Sequence, residues 1–200
     1  MVQRLKLDFV HAARIIAGSC SGVQFVVCGA PLFSDIAYGL RVKAESRDLP
    51  VMFCGWDDDI SSVLRLLDLV VLPSAAHDAA PRVILEAFSA GVPVVAYPSG
   101  GIPELLDPSA GLLVPECTPD SLAAGVRLLL DRPEQVREMG LNARRVWAER
   151  FQVERYSEQV LEVLERVCPA SAGTRGTQNQ RPRRPSRPRE EPGHIQTAAR

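Results

Sequence analysis

The stretch LVVLPSAAHDAAPRVILEAFSAGVPVVA, residues 69–96, decides how the chain folds. Leu69-Val70-Val71-Leu72 is an apolar run that Pro73-Ser74 ends, and it reads as a short buried strand. A loop over 75–81 follows, built largely from alanine, and leads into a helix over about 82–90. Gly91 stops that helix in the role a left-handed terminal residue takes. Pro93-Val94-Val95-Ala96 is then another buried strand. Strands so short, apolar on both faces and separated by a helix, belong to a parallel sheet.

The same alternation extends in both directions. Leu5, Phe9, Val10, Ala13, Ile16 and Ala17 share one face at helical spacing, which predicts a helix over 3–18. Val23 to Cys28 is a strand, 33–46 a helix, Val51 to Cys54 a strand, and Ile60 to Leu67 a helix. Beyond the central unit, Gly111 to Val114 is a fifth strand, with helices near 119–131, 133–149 and 153–167. The expected class is α/β, a doubly wound parallel sheet, Rossmann-like, whose ligands lie beyond the carboxyl ends of the strands.

Composition changes at Pro169. Residues 169–200 hold seven Arg, two Glu and five Pro, with Ile195 the single large aliphatic side chain. Such a segment buries too little apolar surface to offset its ordering entropy, so a disordered Arg/Pro-rich tail over 169–200 is expected behind a folded domain over 1–168. The net charge of −1 then divides into +5 for the tail (seven Arg, two Glu) and −6 for the body. A mildly acidic body gives no reason to expect nucleic acid as a partner. No apolar run approaches the roughly 20 residues of a membrane span. Cys20, Cys28, Cys54, Cys117 and Cys168 are scattered without a CxxC pair, which favours a reducing, cytoplasmic setting over a metal or disulfide framework.

Chemistry concentrates where the quoted helix begins. A helix N-terminus presents unpaired N–H groups and a partial positive charge, suited to phosphate. Ala79 and Ala80 allow a ligand close to the backbone, and Glu86 lies about one turn into the helix. An ionised carboxylate only accepts hydrogen bonds, so Glu86 suits a ribose diol and Asp78 suits sugar hydroxyls. On spacing alone, an equal reading makes Asp78 a loop or cap residue and Glu86 a solvent-facing helical residue.

The arrangement Pro73-Ser74, Asp78, Glu86-Ala87, Gly91, Pro93-Val94-Val95, followed by Gly100-Gly101-Ile102-Pro103-Glu104 and Gly111-Leu112-Leu113-Val114-Pro115, resembles the C-terminal, donor-binding domain of retaining GT-B glycosyltransferases of group 1. The likeness covers about residues 4–167. It implies transfer of a sugar from a UDP- or GDP-sugar to an acceptor, without metal or other cofactor. It also implies that Asp78 faces the transferred sugar, as a candidate catalytic residue, and that Glu86 holds the ribose. Backbone amides near Ala80, Arg82 and Val83 would hold the diphosphate, Trp56 in the turn Gly55-Trp56-Asp57 would lie by the base, and Gly100 and Gly101 would form the floor.

Departures accompany the likeness. Asp78 is one methylene shorter than the family's usual Glu, and Ala79 stands where Gly is common. The family's Arg and Lys that stabilise the leaving diphosphate sit on a strand and turn ahead of the first helix; only Arg4 and Lys6 are near that position. The family's acceptor-binding domain has no counterpart in these residues. The expectation is a truncated transferase whose first strand is missing, or one needing a partner chain for the acceptor domain. The alternative is a non-catalytic module that binds a nucleotide sugar or a partner.

Other features read more plainly. Asp57-Asp58-Asp59 fits a helix N-terminus better than a metal site. His77 borders the site, Trp56 either stacks on a base or packs at the sheet edge, and Trp147 is a core residue. A nucleotide-sugar epimerase shares the fold but fits the Asp78–Glu86 pattern less well. A dinucleotide oxidoreductase is disfavoured, because the turn after the strand at 23–28 reads GAPLFS and not GxGxxG.

Overall fold

The computed structural model of the protein describes residues 5–29, 36–74 and 79–168. The expected tail, the loop residues 75–78 and the start of the helix expected from residue 33 lie outside them. Two units are distinguished along the chain, residues 1–160 and 161–200. Of the second, residues 161–168 are described; they end a helix in which Arg166 and Glu162 pair at 2.6 Å.

The elements alternate as α1 (Leu5–Ala17), β1 (Phe25–Cys28), α2 (Ile36–Glu45), β2 (Val51–Gly55), α3 (Ile60–Leu64), β3 (Val70–Leu72), α4 (Arg82–Ala90) and β4 (Val94–Ala96). They continue as α5 (Ile102–Leu105), β5 (Gly111–Leu113), α6 (Pro119–Leu130), α7 (Pro133–Arg150) and α8 (Val153–Val167). Every strand pair is parallel. The α/β class with parallel strands therefore holds. Most boundaries shift by one or two residues, and two elements differ more from the sequence reading. Helix α3 ends at Leu64, where Arg65 and Leu66 close tight turns onto Ser61 and Val63. Helix α5 is an addition, and its Pro103 sits in the first turn, where no amide is needed.

The strands form two sheets, β1–β2 and β3–β4–β5. In the first, Phe25 pairs with Val51, and the register slips once between Val27 and Cys28. In the second, Val94 stands between Val70 and Gly111. No described strand links β1 to β3, and a cavity of about 620 Å³ lies between them.

Two large clusters of buried side chains make the core. One joins Ile84, Ala87 and Phe88 of α4 to Val94 and Ala96 of β4 and to Ala143 and Val146 of α7. The other joins Ala12, Ala13 and Ile16 of α1 to Phe25 of β1, Val95 and Tyr97, and to Leu122, Val126 and Leu129 of α6. Strand β4 is buried on both faces because alternate side chains feed the two clusters. Trp147 packs partly buried against the first cluster, as the sequence suggests, with the Arg144 guanidinium 4.9 Å from its ring centre.

Helix α1 is seated by side chains from other elements. The Tyr38 hydroxyl of α2 accepts from the Lys6 and Leu7 amides at 3.0 and 3.3 Å, serving two of the orphan donors of the first turn. At the other end Arg14 donates to Asp48 and to the Glu45 carbonyl. His11 meets the Glu45 carboxylate at 2.9 Å.

Candidate functional site at the carboxyl ends of β3 and β4

Strand β3 is followed by Pro73 and Ser74, both buried, and Ala79 and Ala80, both exposed, precede Pro81. Pro81 is the N-cap of α4, its backbone extended and with no side-chain hydrogen bond to the helix. A proline preceding the helix presets its direction, while the first amides of α4 need partners from elsewhere. The Ile84 amide finds the Pro81 carbonyl at 3.1 Å. Those of Arg82 and Val83 head a nine-residue helix whose positive end faces the loop. Ile84, Ala87 and Phe88 anchor α4 through its buried face. Glu86 stands half-buried on another face, and among the described residues its carboxylate meets no donor. At the far end Gly91 is left-handed at φ 76°, as its role as a helix stop requires.

Strand β4 ends in Tyr97, fully buried, whose hydroxyl donates to Asp8 of α1 at 3.3 Å. Beyond it Gly100 turns left-handed at φ 57° and Gly101 begins α5. A Cβ built at Gly101 would stand 1.9 Å from the Ala79 carbonyl oxygen, well inside contact distance. The loop after β4 is thus pressed against the backbone leading into α4, and only a residue without a side chain permits it. Of the residues singled out from sequence, the structure brings Gly101 against Ala79, at the entrance to the helix carrying Arg82, Val83 and Glu86. The contact itself was not foreseeable; its only signal in the sequence is the pair Gly100-Gly101.

Trp56 lies on the other sheet, at the end of β2, where Gly55 turns left-handed at φ 75°. It is 64% exposed, and its indole N–H donates to Asp58 at 2.8 Å. Helix α3, which follows, packs Ile60 and Leu64, and just beyond its end Leu67, into the cluster containing Ile84, Ala87 and Phe88. The Trp56 turn is therefore tied to α4 through α3.

The acid run is a helix start, as expected. Asp59 caps α3, accepting from the Ser62 amide at 3.3 Å and from the Ser62 hydroxyl, while Asp57 accepts from the Asp59 amide at 2.8 Å. The Ser62 hydroxyl, then its amide, hold the Asp59 carboxyl below its usual range. Among the described residues no group of three or more His, Cys, Asp or Glu could hold a metal ion. Cys28, at the end of β1, has its thiol pushed up by burial and then by neighbouring Cys54. No described helix is long and apolar enough to cross a membrane.

Asp78 and His77 fall outside the described residues, as does Arg4. Lys6 belongs to the first turn of α1 and lines the cavity between the two sheets. It is a helical residue there, not part of a strand and turn ahead of the helix.

Comparison with known proteins agrees with this fold. The chain is 33% identical over 141 residues to a D-inositol 3-phosphate glycosyltransferase of Saccharomonospora viridis, covering 70% of this chain and 32% of the relative. Its counterpart from Kineococcus radiotolerans is 37% identical over 174 residues, with 78% and 39% covered. The chain thus spans about a third of the length of such relatives, 32% in the first case. Among solved structures, Anabaena Alr3699/HepE in complex with UDP and glucose superposes with a TM-score of 0.69 at 27% identity, over 78% of this chain and 44% of that one. A glycosyltransferase from Rickettsia africae shares the fold at a TM-score of 0.75 and 18% identity, over 86% and 46%. A family model described as glycosyl transferases group 1 matches residues 8–146. The chain belongs to the group 1 glycosyltransferases.

Proposed function

We propose that residues 1–168 form the donor-binding part of a retaining glycosyltransferase and hold a nucleoside diphosphate sugar at the cleft between the loops after β3 and β4. The observation that carries the reading is the apposition of Gly101 with Ala79 at the head of α4, with Glu86 half-buried about one turn further on. The diphosphate takes the amides of Ala80, Arg82 and Val83, where the helix end favours negative charge. Glu86 accepts from the two ribose hydroxyls, and Asp78 from the hydroxyls of the transferred sugar. Trp56 stacks on the base, and Gly100 and Gly101 line the floor without side chains to displace the sugar.

In the transfer, an acceptor hydroxyl oxygen bonds to the anomeric carbon as the bond from that carbon to the diphosphate breaks, with configuration retained. A nucleoside diphosphate and a proton are released. The role of α4 is electrostatic, since its N-terminal amides stabilise the charge that grows on the departing diphosphate. The structure of HepE with UDP and glucose supports the nucleotide assignment by likeness.

Titration calorimetry with UDP-glucose and GDP-mannose tests the site. Binding of one of them, weakened by Glu86→Ala, is expected; heat that Glu86→Ala leaves unchanged refutes the ribose assignment. A second reading is a binding module without turnover of its own. In that reading the acceptor domain comes from further sequence or a partner chain.

A further inference from the structure

We infer that Cys28 and Cys54 are a redox-modification site, a pair of thiols that a small-molecule disulfide converts reversibly into a Cys28–Cys54 bridge. The register of β1 on β2 makes the pair. Val27 stands opposite Phe53 but Cys28 opposite Gly55, so Cys54 is the extra residue of a bulge that faces Cys28. Val26 and Met52, paired two residues earlier on each strand, share a face of the sheet. Alternation puts Cys28 on the side of Val26 and Cys54 on the side of Met52, hence both thiols on that face. Exposure along β2 follows the same rule. Met52 and Cys54 are exposed, while Val51 and Phe53 pack against buried clusters on the other face. Neighbouring strands lie about 4.8 Å apart, and a disulfide spans Cα separations of about 4.4–6.8 Å. Cys54 is close enough to act on the Cys28 thiol through both its charge and a hydrogen bond. The remaining cysteines are placed differently. Cys20 meets the Ser19 hydroxyl at 3.9 Å, Cys117 lies by Asp8, and Cys168 follows the end of α8.

The surroundings of the two thiols set the order of the chemistry. Cys54 is exposed and meets the small disulfide first. Its thiolate attacks one sulfur of that molecule, forming a mixed disulfide as the S–S bond breaks and one small thiolate leaves. Cys28 is half-buried, and burial, then the charge of Cys54, favour its protonated form. Once Cys54 is a neutral mixed disulfide, that opposing charge is gone. Cys28 then gives up its proton and attacks the Cys54 Sγ, and the second small thiolate leaves. Two electrons and two protons pass from the protein thiols to the small disulfide, which is reduced to two thiols. Excess thiol runs the same exchange backwards, as for other exposed disulfides.

The bridge closes at the carboxyl ends of β1 and β2, where it has something to hold. Gly29 follows Cys28, and its amide donates to the Gly55 carbonyl at 2.6 Å. Gly55, left-handed at φ 75°, is all that separates Cys54 from Trp56. A covalent tie at Cys54 keeps the Gly29–Gly55 hydrogen bond closed and restrains the turn that carries Trp56. On the proposed placement of the base at Trp56, and resting on it, the pair links oxidation to the nucleotide side of the site.

Incubation of the 200-residue chain with oxidised and reduced glutathione, followed by alkylation and peptide mapping by mass spectrometry, tests the site. The Cys28–Cys54 bridge is expected to exceed any bridge to Cys20, Cys117 or Cys168 at least about tenfold, and dithiothreitol should remove it. In Cys28→Ser, Cys54 should stop as its mixed disulfide with glutathione. Hydrogen exchange read by NMR is the second measure. The Gly29 amide should exchange at least about tenfold more slowly in the oxidised parent chain than in the reduced one. Cys54→Ser should show no such difference. Bridges spread evenly over the cysteines overturn the inference, and so does a parent chain in which Cys54 stops at the mixed disulfide. Gly29 exchange that oxidation leaves unchanged, or speeds, refutes the hold on the turn. Every arm is run without nucleotide, so failure of the donor-site reading would leave these results as they are.

Discussion

Gly101 and Glu86 show two ways in which a single residue can matter to this cleft. At Gly101 the requirement is steric. A methyl group would meet the Ala79 carbonyl oxygen at 1.9 Å, and a backbone atom cannot step aside as a side chain can. Gly101→Ala is expected to lower stability by about 1–3 kcal/mol, in the range for overpacking, read as a shift of the urea midpoint. An unchanged midpoint with unchanged nucleotide affinity would refute the close apposition. At Glu86 the requirement is chemical. Loss of hydrogen bonds to a charged acceptor is worth about 1.5–3 kcal/mol, so Glu86→Ala should weaken donor binding by about ten- to a hundredfold. Glu86→Gln keeps one acceptor oxygen and should fall between. Neither substitution at Glu86 should move the melting temperature much, since its carboxylate meets no donor among the described residues.

Elements differ in how openly the sequence declares them. The four-residue aliphatic runs at 69–72 and 93–96 stand out because flanking proline and glycine mark their ends, and the structure places β3 and β4 there. Gly91 was legible for the same reason, since a left-handed stop admits few residues other than glycine. Helix α5 was not, because four residues carry no periodicity and Pro103 reads as a breaker when it is in fact a first-turn residue. The contact of Gly101 with Ala79 and the bond from Tyr97 to Asp8 were illegible too, because each joins distant parts of the chain and neither has a local pattern.

The cap of α3 gives this scale its prediction. The folded-state pKa of Asp59 is lowered by the Ser62 hydroxyl and amide, so the carboxylate stabilises the fold above its unfolded pKa of about 3.9. That contribution is lost as pH falls through the lowered folded value. Asp59→Asn should therefore melt below the parent at neutral pH, with the difference closing in acid. A gap that widens on acidification would contradict the assigned cap.

For the whole molecule, the parallel α/β class was readable because alternating strands and helices leave few other packings. The division into two sheets was signalled only through the resemblance, which implies a strand ahead of α1, because pairing across a gap depends on a neighbour. The same scale governs activity. The chain spans 32% of the length of a relative, and the proposed donor site lies within that part. Purified alone, it is expected to bind a nucleotide sugar yet show turnover at least about a hundredfold below a full-length relative assayed with its own acceptor. Comparable turnover by the isolated chain would show that the acceptor needs no further domain.

The contrast between the two indoles also gives the protein a built-in optical reporter. Trp56 projects into solvent at the end of β2, held by Asp58, whereas Trp147 packs against the first buried cluster with Arg144 over its ring. A base stacking on Trp56 would quench a water-exposed emitter and leave the other dark to the event. In Trp147→Phe the whole emission comes from the turn after β2, so a fluorescence titration with UDP reads occupancy there directly. Emission that stays constant while calorimetry records saturation would move the base elsewhere along the cleft.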